Sequence, residues 1–363
     1  MNEIIGDDIG PARVIQLYSA RERLRAVVVV DNTALGPAVG GVRVSPRVTA
    51  DEVRRLARTM TLKNSLAGLP HGGAKAGIMA DPATMDKERT FRVFARMIRD
   101  CVDYIPGPDM GCDETAMAWI HDETGRAVGL PEEIGGLPLD KLGATGFGLG
   151  ECAEVAAPRA GIELKGARVA IQGFGSVGKA AARSLRAKGA ILVAVSDSRG
   201  GVHDPDGIDL EALATAKEDT GSVNGYGKGR KIAAAEIFGV PCDILIPAAT
   251  PDVIHGGNAG AVTAPLILPG ANIPVTAEAE EALHRRGVLI VPDFIANAGG
   301  VIMAAMEYGG RSEQEAFAAI GERIRTNTGL ILEKAAADGC LPRTAALALA
   351  LERVRRAMAY RDY

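Results

Sequence analysis

Three side chains and one glycine turn carry the chemistry open to this sequence: Lys63, Lys75, Asp109 and the run Gly173-Phe174-Gly175-Ser176-Val177-Gly178. Lys63 lies in a stretch, Thr49 to Gly68, whose Val53, Leu56, Ala57, Met60 and Ala67 recur at three- and four-residue spacing and so line one face of a helix. Thr49 followed by Glu52 is a capping-box start, in which each side chain meets a backbone N–H left unpaired by the first turn. Lys63 falls beside Leu56 at the edge of the apolar face, where a lysine is costly unless it meets an anion. Lys75 follows twelve residues later, past a tight turn at Pro70-His71-Gly72-Gly73-Ala74 whose glycines allow close approach to the backbone. Two lysines so placed suggest a carboxylate pocket. The alternative is that Lys63 snorkels to solvent and Lys75 is an ordinary loop charge. Asp109 sits in the proline- and glycine-fixed loop 105–111, after a helix expected over 86–104; by itself an aspartate there is more often a cap or turn residue.

The glycine run is better supported by its surroundings. A strand at Arg168 to Gln172 precedes it, a helical stretch from Lys179 to Lys188 follows, and a second strand from Ala190 ends at Asp197. An acidic residue about 20 positions past the glycines completes a dinucleotide fingerprint. The glycines would let a pyrophosphate reach the helix N-terminus. Asp197 would accept from the adenosine ribose and repel a 2′-phosphate, which favours NAD; Arg199 could instead receive that phosphate, so NADP stays open. A structural glycine turn with no ligand is the plain alternative.

The elements that position these groups follow from the pattern of apolar residues. Leu24 to Val30 is a β-branched run, and Val39-Gly40-Gly41-Val42-Arg43 begins the next strand. Gly221 to Arg230 is polar and glycine-rich, most simply a surface excursion. Cys242 to Thr250 reads as a strand with small Ala248, Ala249 and Thr250 at its carboxyl end, where ligands bind in open α/β sheets. Further strands at 266–268 and 288–291 make this half doubly wound α/β, and amphipathic helices over 313–337 and 343–360 close the chain. A length of 363 residues suggests two domains. The net charge of −4 is spread without long runs, so nucleic acid and membrane surfaces have no electrostatic footprint. Five scattered cysteines without a CxxC pair argue against a disulfide framework or a metal site. No signal peptide or membrane-length apolar run is read, and a cytoplasmic protein is expected.

The motifs Met60-Thr61-Leu62-Lys63-Asn64, Gly72-Gly73-Ala74-Lys75, the P-x-x-D-x-G loop around Asp109, Gly270-Ala271-Asn272 and Pro292-Asp293 through Val301 together closely resemble the glutamate/leucine/phenylalanine/valine dehydrogenase family. The likeness runs in order along nearly the whole chain. It implies an α/β fold in two domains. Residues 1–145 would form the substrate-binding, catalytic and oligomerisation domain, to which helices at about 338–363 return. Residues 146–337 would form a Rossmann-like NAD-binding domain. By the same resemblance Lys63 holds the substrate α-carboxylate, Lys75 activates the water that attacks an imine, and Asp109 is the catalytic carboxylate. Gly40, Met60, Val301 and Ala304 join the substrate site. Leu142 to Gly148 resembles the family's hinge, with Thr145 near the nicotinamide. Asn272 and Asn297 lie beside the nicotinamide ribose and amide, although Asn297 would also cap the following helix by default. A homo-oligomer is implied as well.

Two positions depart from the glutamate enzymes of that family. They carry a lysine at Val39 and a serine at Ala304, both toward the distal carboxylate of glutamate. A buried carboxylate without a counter-charge costs several kcal/mol, whereas each buried methylene gains about 0.8 kcal/mol. Without the resemblance, Val39 would read as ordinary strand core. The expected activity is NAD-dependent oxidative deamination of an apolar L-amino acid, of leucine, valine or phenylalanine type, to the 2-oxo acid and ammonia. Two other readings stay open: a glutamate dehydrogenase with a relocated anchor such as Arg43, and an amino-acid sensor that binds the dinucleotide without turnover.

Overall fold

The computed structural model describes residues 6–361, which form two compact units. The first takes residues 6–142 together with 301–317 and 347–361. Its elements are β1 (Arg13–Ser19), β2 (Leu24–Asn32), β3 (Ala38–Val44), α1 (Ala50–Leu66), β4 (Gly72–Ile78), α2 (Lys87–Met97), β5 (Tyr104–Gly107), α3 (Glu114–Thr124) and α4 (Leu139–Leu142). The sheet order is β1-β2-β4-β3-β5. β2 runs antiparallel to β1 and β4, while β3 is parallel to β4 and β5.

Strand alternation explains why β2 is apolar from Ala26 to Val30. Val27 and Val29 pack with Val53 and Ala57 of α1 on one face. Val28 and Val30 pack with Phe91, Phe94, Met117 and Ile120 of α2 and α3 on the other. A strand covered on both faces has no polar side to show.

Two local expectations are corrected. Lys75 is not in a glycine turn: the turn ends at His71, and Gly72–Ile78 is a fully buried central strand. Gly73 is a strand residue because α1 lies directly on it, where a Cβ would stand 2.0 Å from the Thr61 nitrogen, and Gly72 because a Cβ there would stand 1.8 Å from the Asn32 carbonyl oxygen. The helix expected to reach Tyr104 stops at Met97. Tyr104 and Ile105 instead pair with Ala38 and Val39 at the sheet edge, so the open edge of β3 captures a segment whose local pattern read as helix.

The second unit comprises 143–300 and 318–346. It contains α5 (Ala144–Arg159), β6 (Arg168–Gln172), α6 (Ser176–Ala187), β7 (Ile191–Asp197), β8 (Gly200–His203), α7 (Leu210–Thr220), β9 (Arg230–Ile232), β10 (Ile244–Pro247), β11 (Leu266–Ile267), α8 (Ala277–Arg285), β12 (Leu289–Ile290) and α9 (Asp293–Ala296). Strand order is β12-β11-β10-β6-β7-β8-β9. β12 through β7 are parallel, and β8 and β9 add an antiparallel margin. The order reverses at β6, so β6 and its neighbours β7 and β10 mark the switch point at which such sheets bind ligands.

Three helices, α10 (Gly299–Tyr308), α11 (Glu313–Asp338) and α12 (Pro342–Met358), are shared out between the units. Residues 301–317, expected in the second domain, pack with the first, and 338–346 do the reverse. Among the described residues no helix is long and apolar enough to cross a membrane.

Candidate active site

In the first unit Lys75 and Asp109 come together. Lys75 Nζ, on β4, stands 2.7 Å from Oδ2 of Asp109 in the loop after β5. The same oxygen accepts from Arg43 Nε of β3 at 3.1 Å. β3 carries Val39, Gly41 and Arg43 on one face by its two-residue period, and Gly41 leaves the room this pair needs. A Cβ there would lie 2.8 Å from Asp109 Cβ and 3.1 Å from Lys75 Nζ. Burial alone pushes the Asp109 carboxyl up, but Lys75 and Arg43, with the Met110 N–H, outweigh it and hold the acid well below its usual range. Asp109 is therefore a carboxylate at neutral pH.

Lys63 lies in the last turn of α1 and is 7% exposed, as is Lys75. The neighbouring Asn64 donates to the Gly72 carbonyl at 2.6 Å, which fastens this turn to the start of β4. Both lysines are thus buried on adjoining elements, and the snorkelling and loop-charge alternatives fall away. Met60, one turn before Lys63, is half-buried. The capping box is redistributed: Thr49 accepts the Glu52 N–H at 3.2 Å, while the Glu52 carboxylate takes Arg43 Nη1 at 2.8 Å. Arg43, considered as a relocated anchor, is committed to Asp109 and Glu52. Its place beside Val39 and Gly41 in the strand period was the signal that could have found this role.

Val39 packs with Ile105, Val128 and Ala304 in one buried cluster, with Leu139 against it. Gly40 is also buried in β3, and its carbonyl accepts the Tyr104 hydroxyl at 3.0 Å. Val301, one turn before Ala304 on α10, is half-buried.

In the second unit the glycine run joins β6 to α6, which begins at Ser176 and Val177, earlier than its pattern suggested. Gly173 has φ +95°, the left-handed region that favours glycine, and a Cβ on Gly178 would meet the Gly173 carbonyl oxygen at 1.9 Å. A Cβ on Gly175 would meet nothing within 4 Å. Gly175 is the N-cap of α6 and supplies no side chain to it. Open space before an uncapped helix start fits a dinucleotide pyrophosphate. At the carboxyl end of β10, the Ala248 and Ala249 N–H groups donate to the Gln172 carbonyl at 2.7 Å and to its Oε1 at 3.3 Å, with Ala249 and Thr250 exposed. The Asn297 amide donates to the Ala271 carbonyl and to Asn272 Oδ1, both at 3.0 Å, and Asn297 itself ends α9. A Cβ on Gly300 would stand 3.3 Å from Thr145 Oγ1, so the start of α5 lies against the start of α10.

Asp197 differs from expectation. Its carboxylate accepts from Lys217 Nζ at 2.8 Å, Ser222 Oγ at 3.1 Å, the Val223 N–H at 2.8 Å and the Arg199 N–H at 2.9 Å. Burial raises its pKa, but Lys217 and these N–H groups win and hold it low. The segment after α7, read as a surface excursion, is the clamp that grips it. An acid with its charge compensated repels a 2′-phosphate far less than a bare one, which weakens the inference of NAD over NADP.

The profile described as "Glutamate/Leucine/Phenylalanine/Valine dehydrogenase" matches residues 135–362, and "Glu/Leu/Phe/Val dehydrogenase, dimerisation domain" matches 14–126. A glutamate dehydrogenase of Aeropyrum pernix is 41% identical over 92% of this chain and 85% of its own. An NADP-specific glutamate dehydrogenase of Saccharolobus shibatae is 41% identical over 90% and 82%, and an NAD-specific one of Staphylococcus aureus is 35% identical over 92% and 85%. Among solved structures, a hetero-hexameric glutamate dehydrogenase of Thermus thermophilus in a leucine-bound form superposes with TM-score 0.87 and 33% identity, over 97% of this chain and 91% of that one. L-Tryptophan dehydrogenase of Nostoc punctiforme gives TM-score 0.74 and 27% identity over 97% and 98%. The chain belongs to the glutamate/leucine/phenylalanine/valine dehydrogenase family and is an NAD- or NADP-dependent amino acid dehydrogenase.

Proposed function

We propose that the protein oxidatively deaminates an apolar L-amino acid to the 2-oxo acid and ammonia, reversibly. The observation that carries the substrate class is the direct packing of Val39 with Ile105, Val128 and Ala304 in the first unit. A side chain set against these groups meets methyl and methylene surface, and a distal carboxylate there would be desolvated without a partner.

Buried Lys63 holds the α-carboxylate, a charge-assisted contact that fixes the α-carbon. Asp109, ionised, accepts from the α-amine and orients it. A dinucleotide held there would accept the α-hydrogen with its electron pair, and loss of one amine proton to solvent gives the imine. Lys75, as the uncharged amine once its ammonium proton has left to solvent, takes a proton from the water that adds to the imine carbon, and Asp109 moves protons between oxygen and nitrogen as the carbinolamine collapses. The uncapped start of α6 at Gly175–Ser176 binds the pyrophosphate; Thr145, Asn272 and Asn297 supply the polar groups of the nicotinamide side. The protein assembles as a homo-oligomer in this reading.

A second reading, glutamate as the substrate, rests on the relatives' names, which favour it over apolar amino acids. It requires a cation other than Arg43 at the distal carboxylate. Turnover by wild type, Lys75→Ala and Asp109→Asn with leucine and with glutamate tests both. The variants should lose NAD(P)H formation while still binding the dinucleotide. Near-wild-type rates in either variant would overturn the assigned roles, and glutamate as the sole substrate would favour the second reading.

A further inference from the structure

Glu307 is a half-buried carboxylate that the chemistry above does not use. It lies one turn beyond Ala304 on α10, so the two share a helix face. Oε2 accepts the Gly129 N–H at 2.5 Å, and Oε1 accepts the N–H groups of Leu130 at 2.9 Å and Leu137 at 3.1 Å. Gly129 and Leu130 begin a surface loop, and Leu137 ends it. The loop also closes on itself, with the Gly136 N–H on the Pro131 carbonyl at 3.0 Å. One side chain therefore grips both ends of one loop.

The gripped residues border the candidate site on two sides. Val128, just before the loop, and Leu139, just after it, belong to the apolar cluster with Val39 and Ala304. The Val128 N–H donates to the Pro106 carbonyl at 2.9 Å. A Cβ on Gly129 would stand 2.7 Å from Pro108 Cδ, and Pro108 immediately precedes Asp109. Three converging donors demand two acceptor oxygens and no donor, which only an ionised Asp or Glu offers. Burial pushes the Glu307 carboxyl up against the pull of those N–H groups, the cost of using a charge as a fastener.

We propose that Glu307 is a positioning residue that sets the depth of the side-chain pocket and the seat of Asp109, by tying the 129–137 loop to the helix that carries Ala304. The inference rests on the reading that the Val39–Ala304 cluster receives the substrate side chain. In Glu307→Gln one acceptor oxygen is replaced by an amide that points N–H at N–H, and the pocket wall comes loose. In Glu307→Asp both acceptors remain on a stem shorter by one methylene.

The test is kcat/KM for a ladder of substrates differing by single methylenes, in wild type, Glu307→Gln and Glu307→Asp. The apolar ladder is 2-aminobutyrate, norvaline and norleucine; the acidic one is aspartate, glutamate and 2-aminoadipate. The ladder that wild type turns over is the one read, so failure of the apolar reading and failure of the Glu307 role appear separately. Glu307→Gln should lower the discrimination between neighbouring members about three- to tenfold, within the range one methylene commands in a fitted pocket. KM for the amino acid should rise more than kcat falls, with dinucleotide affinity unchanged. Glu307→Asp should lie between, and serves alone if the amide variant does not fold. Unchanged discrimination in folded variants, whatever their melting temperature, would reduce Glu307 to a structural fastener and overturn the proposal.

Discussion

Lys75 and Asp109 meet through a single carboxylate oxygen, at 2.7 Å, and Arg43 reaches that same oxygen at 3.1 Å. Two cations on one oxygen make Asp109 a fixed anion. In the proposed reaction a lysine held beside such an anion is oriented before substrate arrives, which is where geometric contributions to rate arise. Asp109→Asn keeps the shape and removes the charge. Its kcat should fall about 10²- to 10⁴-fold, the usual yield of positioned acid–base groups, while dinucleotide binding measured by fluorescence titration stays at the wild-type value.

Arg43 predicts a pH effect with a definite sign. The Asp109 carboxyl lies below its unfolded value in the folded protein. Its contribution to stability is thus complete above the unfolded carboxylate value, about 3.9, and is lost as pH falls through the depressed folded value. Arg43→Met removes one of the two cations and should raise the pH of the acid-unfolding midpoint. Superimposable acid-unfolding curves of the two proteins would show that Lys75 alone sets the charge of Asp109.

Two glycines of the nucleotide turn should separate stability from binding. Gly175 has φ −88° and open space where a Cβ would go, so Gly175→Ala should leave the melting temperature within a degree or so and weaken dinucleotide binding at least tenfold by blocking close approach. In Gly178→Ala the Cβ meets a carbonyl oxygen at 1.9 Å, and destabilisation by about 1–3 kcal/mol should follow. Thermal melts and dinucleotide titration of both variants check this; equal effects of the two would contradict it.

Cofactor choice should respond to Lys217, which touches Asp197 at 2.8 Å. Lys217→Met leaves the carboxylate with its backbone donors and Ser222 only, and its uncompensated charge should lower kcat/KM for NADP relative to NAD about tenfold. An unchanged ratio would mean that Asp197 lies out of reach of the 2′ position.

Much of this architecture was legible in the sequence because local pattern and function agreed there. The helix of Lys63, the β6–glycine–α6 unit and the small residues ending β10 each follow from periodicity and turn chemistry. Lys75 was misplaced because Gly72-Gly73 looks like a turn, and only the helix packed on β4 reveals why a strand needs glycines. The Asp197 clamp was invisible for another reason: Lys217, Ser222 and Val223 reach it from 20, 25 and 26 residues away, and a polar glycine-rich stretch carries no sign of what it will fold against. Glu307 was missed likewise, since its partners are three backbone N–H groups remote in sequence.

The most direct measurement is NADH and NADPH formation by the wild-type enzyme from leucine, valine, phenylalanine and glutamate, each at the same concentration. An apolar pocket formed by Val39 and Ala304 predicts turnover of at least one of the first three and kcat/KM for glutamate at least about a hundredfold lower, the penalty of one uncompensated buried charge. Turnover of glutamate with none of the apolar amino acids accepted would contradict it, and would place a cation at the end of the pocket that Val39 leaves uncharged.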